Sequence, residues 1–259
     1  MRSRLPLEAL LARPNLGVGV ALGLLTVLAW LHFLGAGPAA GHAAHAAMTH
    51  ATARASQAAE VGEAFVTWLV MAVAMMLPTA APAILSFADI VRRPGGGSAG
   101  VGRLAAFVGG YLAAWWGFAV LATAMQWGLA LTAPAIAGGR TGEAVFAGVL
   151  LVAAGFYQFS ALKHRCLSEC RSPIAFFLAR WREGTRGALC LGLRHGIHCV
   201  GCCWALMALM LLAGAMNVGW MAVLTALMLA EKVLPGGPVL GRAVGVGLIV
   251  WGSALLASA

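Results

Sequence analysis

Charge is what this chain lacks. Only 10% of its 259 residues are Asp, Glu, Lys or Arg, whereas a soluble globule devotes about 25% to them because it has a wet surface to cover. That scarcity excludes an ordinary soluble fold. Acidic residues number 8, and there are no paired carboxylates, no Ser-His-Asp constellation and no glycine loop followed by a phosphate-binding lysine. No group for catalysis stands out, and the chain is expected not to be an enzyme. Apolar residues fill the space that charge leaves, at 61% of the chain with a mean hydropathy of +0.89. The reading is an all-α integral membrane protein in a lipid bilayer. A net charge of +9 could suggest nucleic acid, but basic residues spread through so apolar a chain are better explained as topology signals at membrane interfaces. Nucleic-acid binding is therefore set aside.

Apolar runs of about 20 residues, the length that crosses the hydrocarbon core, recur at 16–36, 64–90, 104–131, 144–162, 188–213, 218–234 and 239–257. The expectation is a single polytopic transmembrane bundle, residues 1–259, of about seven spans. The longest connections are a loop at 37–62 and another at 163–187. In the second run, Pro78 and Pro82 predict a kink or break, since proline removes a backbone hydrogen bond and clashes with the preceding turn. The tetrapeptide "PGGP" leaves only a tight hairpin between the sixth and seventh. No cleavable signal is evident: Arg2, Arg4 and Arg13 precede an apolar run that is long for a signal core.

With the N-terminus inside, fifteen of the 17 Lys and Arg fall on the inner side, and only Arg54 and Arg140 fall outside. This is a strong positive-inside pattern. It places the C-terminus outside and the protein in the cell inner (plasma) membrane as a multi-pass chain.

Cysteine is confined to one region: all 6 lie between 166 and 203. In "RHGIHCVGCC" (194–203), at the inner start of the fifth run, helical spacing groups His195, Cys199 and Cys202 on one stripe. Cys199, Cys203, Met207 and Met210 share the adjoining stripe, and His198 lies one turn from Cys202. A second group, "KHRCLSECRSP" (163–173), ends the fourth run on the same side. Cys166 and Cys170 share a face there if the helix continues to about Arg171, before Pro173. Thiolate and imidazole from two helices suit Cu(I) or Zn²⁺ by ligand softness, and nearby Lys and Arg favour the thiolate. Plain packing is the alternative, because cysteine is a small apolar residue that sits well between helices. Disulfides are not expected in a reducing compartment. A redox pair at Cys199 and Cys202 is a third reading, with no thioredoxin-like surroundings to support it.

A weaker candidate lies outside, where "GHAAHAAMTH" (41–50) holds His42, His45, Met48 and His50, imidazole and thioether donors suited to copper. Methionines in the helices are read first as packing. Glu231 and Lys232, at the inner end of the sixth run, are read as an interfacial ion pair.

The segments "MAVAMMLPTAAPAI" (71–84), "KHRCLSECRSP" and "CVGCCWALMALMLLAGAMNVGWM" (199–221), followed by "EK" at 231–232, resemble a bacterial family of unknown function labelled predicted metal-binding integral membrane proteins. The likeness runs from about residue 60 to 234. It implies a membrane location and a metal role, carried at Met71, Met75, Met76, Pro78, Cys166, Cys170, Cys199, Cys202, Cys203, Met207 and Met216. The expected function is binding of a soft transition metal, copper ahead of zinc, through the inner Cys/His cluster, for metal handling or delivery to a membrane partner such as a cuproenzyme. The alternatives are an assembly subunit with packing cysteines and a thiol redox carrier.

Overall fold

A computed structural model describes residues 14–47, 54–91, 97–136, 140–213 and 217–259. Among the described residues there are helices and short turns but no strand. The helices, in chain order, are α1 (Pro14–Ala47), α2 (Arg54–Val91), α3 (Gly97–Ile136), α4 (Arg140–Tyr157), α5 (Ala161–Arg171), α6 (Pro173–Arg180), α7 (Gly184–Ala208), α8 (Met210–Ala213), α9 (Val218–Val233) and α10 (Gly237–Ser258).

Each of the seven apolar runs contains a helix, but length and composition qualify fewer of them to cross a membrane. Among the described residues, five segments do so: Leu16–Gly35, Ala59–Val91, Ala99–Leu131, Gly184–Leu212 and Gly237–Ser258. Gly142–Tyr157 and Ala161–Arg171 add a sixth only if taken as one span bent by 61°. The run at 144–162 is thus not one straight helix. It breaks at Gln158–Ser160, where the Ser160 side chain accepts the Lys163 backbone N–H at 3.1 Å and starts α5 afresh. At 16 residues, α9 falls short of the length needed to cross unaided.

The connections are also more helical than expected. Backbone helix extends to Ala47 and resumes at Arg54, so most of the stretch 37–62 is not loop. The inner connection is largely α5 and α6, with Pro173 at the start of α6 as its fixed φ favours. Gly184, at φ 77°, turns the chain into α7. The hairpin at "PGGP" is present between α9 and α10.

Neither proline breaks α2. Pro78 cannot donate to the carbonyl four residues back, and that carbonyl, on Ala74, instead accepts the Trp30 indole N–H of α1 at 3.0 Å. A neighbouring helix has replaced the missing bond.

Packing fixes helix directions. On α7, Gly192 lies against the Phe107 backbone of α3, and Gly196 lies against the Tyr111 carbonyl, so the two helices run parallel. A Cβ at Gly192 would overlap the Phe107 carbonyl, which is the close approach that small residues permit between apolar helices. In α4 and α10, Gly148 faces Gly252 and Gly155 faces Gly245, an antiparallel pair. Phe176 and Phe177 of α6 are buried, and Phe177 meets Phe87 of α2 and Phe107 of α3 edge-on. This plug seals the end of the bundle at which α7 begins.

Candidate metal centre

Cys199, Cys202 and Cys203 come from the second half of α7, and all three are buried. Cys170, near the end of α5, is half-buried against the same core, near enough to Cys199 and Cys202 to interact with them electrostatically. A fifth sulfur comes from α2: Met76 Sδ is 3.6 Å from Cys203 Sγ. Metal–sulfur bonds of about 2.3 Å allow two sulfurs on one ion to lie up to about 4.6 Å apart, so this pair is close enough to share one. Cys166 lies beside the group, its sulfur against the bare backbone of Gly201. All six cysteines are free.

Polar groups surround Cys199 in an otherwise apolar core. Lys232 Nζ of α9 donates to Cys199 Sγ at 3.1 Å and to the Thr79 hydroxyl of α2 at 2.8 Å. The Tyr111 hydroxyl of α3 lies 3.2 Å from the same sulfur and donates to the Met76 carbonyl at 3.1 Å. Lys232 is only 8% exposed. A lysine so deeply placed keeps its charge only where something compensates it, and the Cys199 sulfur is the group placed to do so.

Beside the thiols runs a second polar chain. Lys163 at the start of α5 pairs with the Glu231 carboxylate at 2.7 Å, both 2% exposed, and also donates to Gln158. Arg171 at the end of α5 donates to the Glu231 backbone carbonyl. Glu231 therefore holds both ends of the short helix that carries Cys166 and Cys170. The interfacial Glu231 and Lys232 pair expected from sequence is two separate contacts, each buried.

The two histidines pack against aromatic rings. His195 is buried among Phe107, Tyr111 and Phe176, with ring centroids 6.1, 6.0 and 5.3 Å away. Its Nδ1 has no hydrogen-bond partner. His198 is half-buried, donates from Nδ1 to the Arg194 carbonyl at 2.7 Å and rests on Phe176. Met207 is buried one turn beyond Cys203. His42 and His45 lie on the helical backbone of α1, but their side chains, with all of Met48, His50 and Met216, lie outside the described residues.

Among the described residues, no group of three or more His, Cys, Asp or Glu is arranged to hold a metal ion. The thiol rotamers show why. Cys202 and Cys203 both donate back to the Cys199 carbonyl, at 3.1 and 2.9 Å. They satisfy their own helix rather than converging on one point, and a metal would have to displace those weak bonds.

Comparison with known proteins adds one finding. A family model described as PpoB2, copper chaperone, matches residues 65–255. The chain belongs to this copper chaperone family. No curated protein and no solved structure matches it. The copper chaperone match takes in every sulfur of the cluster together with Thr79, Tyr111, Lys163, Glu231 and Lys232. It leaves out the outer tract from His42 to His50.

Sequence reasoning had found the four cysteines of the cluster and had singled out Met76 only through resemblance. It missed Tyr111, Thr79 and the contact of Lys232 with sulfur. The available signal was the rarity of charge: a lysine next to a glutamate in an apolar helix end had to be doing something with each.

Proposed function

We propose that this chain is an integral membrane copper-handling protein that takes up Cu(I) in the sulfur cluster of α2, α5 and α7 and passes it to a membrane partner. The observation that carries the reading is the approach of Met76 Sδ to Cys203 Sγ with three further thiols adjoining. Thiolate with thioether is a soft set that selects Cu(I) over Zn²⁺. Uptake replaces the Cys203 thiol proton by the ion, because the ligand is the thiolate. Two bonds to the Cys199 carbonyl are given up, each weak enough for a thiolate–copper bond to exceed it. Transfer to a partner thiol then proceeds by exchange of one soft ligand for another. The basic residues on the flanks of α5, α6 and α7 support a cytoplasmic setting for this end of the bundle.

The back-bonded thiols favour a second reading, in which the cysteines only pack. Anaerobic Cu(I) titration against a chromophoric chelator, in detergent, separates the two. On the copper reading the wild type holds Cu(I), and the combined Cys199→Ser, Cys202→Ser and Cys203→Ser variant loses it. Equal retention by both, or none by either, overturns the copper reading and leaves packing.

A further inference from the structure

Four cysteines and a methionine in one buried group are more donors than a single Cu(I) needs. A thiolate sulfur that has bound one soft ion keeps lone pairs for a second, and adjoining thiolates commonly bridge Cu(I) ions into clusters. Left alone, such a pocket would load several ions, and a bridged cluster gives up its metal less readily than a single ion on few ligands.

Cys199 is central to the group: Cys202 and Cys203 bond its carbonyl, and its own sulfur meets Lys232 and Tyr111. Two approaches to that sulfur are already taken. The Lys232 ammonium sits 3.1 Å from it and the Tyr111 hydroxyl 3.2 Å. The ammonium is anchored on the Thr79 hydroxyl and, through its own backbone, on α9. We infer that Lys232 acts as a built-in cation that limits the sulfur cluster to one Cu(I), by occupying the face of Cys199 through which a second ion would be bridged. This deepens the copper reading and rests on it.

Two physical effects act together. The ammonium satisfies one side of the sulfur, as a second copper would, without being exchangeable. It also repels any further cation, and within a core of low effective dielectric that repulsion is far stronger than in water. Lys232 acts through Cys199, as a specificity-determining residue, and need not touch the ion.

The test is copper stoichiometry under excess Cu(I), with luminescence as a second readout, because solvent-shielded polynuclear Cu(I)–thiolate clusters emit and a single bound ion does not. The wild type should hold about one copper per chain and stay dark. Lys232→Met and Lys232→Gln, both neutral and near in length, should each at least double the load and become luminescent. Lys232→Arg, which keeps the charge, should stay at the wild-type load. Monodisperse elution checks that each variant is folded, and whichever neutral variant folds decides. A neutral variant that still holds one dark copper overturns the inference while the copper reading stands. A wild type that loads several ions overturns it without any variant. A wild type that binds no Cu(I) overturns both.

Discussion

Glu231 and Lys232 are sequence neighbours that face different ways. Adjacent helical residues point about 100° apart, so they do not meet each other, and each has found its own partner across the bundle. The buried Lys163–Glu231 pair predicts a specific asymmetry. Removing one partner leaves an uncompensated charge in an apolar core, which costs about 3–5 kcal/mol, whereas replacing both by apolar residues of similar volume is often neutral. Glu231→Gln should therefore lower the unfolding midpoint in detergent steeply, and Lys163→Met with Glu231→Leu should recover most of it. A double variant as unstable as the single one would mean that the pair contributes more than mutual compensation. Trp30 carries a smaller prediction. Trp30→Phe strands the Ala74 carbonyl that Pro78 has freed, at a cost of about 1–3 kcal/mol, and a Pro78→Ala change in the same chain should cancel that loss by restoring the helical bond.

At the scale of elements, the contact between α3 and α7 positions the sulfurs, because Cys199 follows directly on the glycines that let the two backbones touch. Gly192→Ala would drive a methyl group into the Phe107 carbonyl. No flexible side chain is there to yield, so the helices must separate, and the cost should exceed the ~1–3 kcal/mol usual for overpacking. Partial separation would also draw Cys199 away from Tyr111 and Lys232. Copper retention should then fall with stability, which a titration of the same sample reads. Elements of this kind were legible in sequence only in part. Runs of twenty apolar residues announce helices, and the spacing of Cys199, Cys202 and Cys203 announces a shared face. The face of each helix that meets a neighbour was not legible, since a helix apolar on all sides has no stripe to reveal it. That is why Tyr111 and Lys232 join the cluster only in the structure, and Met76 is marked in sequence only by the family resemblance. The bend at Gln158–Ser160 was hidden for a related reason: Tyr157 and Phe159 keep the run apolar across the break, and only the Ser160 cap marks it.

For the whole molecule, helix directions bear on how many times the chain crosses a bilayer. Length alone qualifies five segments, or six with the bent pair; it leaves out α9, whose 16 residues span about 24 Å against a hydrocarbon core of about 30 Å. Packing argues otherwise. Since α10 runs antiparallel to α4 along their facing glycines, α10 starts at the end of the bundle where α4 stops. That is also the end from which α7 sets out, because only the short helices α5 and α6 separate α4 from α7, and Glu231 and Lys163 tie the last turn of α9 to α5. A chain that leaves this end along α7 and leaves it again along α10 has to return in between, and α9 is the helix available to return it. A short span is accommodated by local thinning of the bilayer at modest cost. Were α4 and α9 both to cross, the spans would number seven, and an odd number would put the termini on opposite faces. The basic residues would then give the orientation expected from sequence, the N-terminus inside and the C-terminus outside. Alkaline phosphatase, active only outside, fused after Ala259 should therefore be active, and green fluorescent protein at the same position should be dark. The same reporters fused within 181–183, between α6 and α7, should show the reverse. A fluorescent C-terminal fusion would give an even number of crossings and return α9 to the inner surface as a helix that enters and leaves on one side.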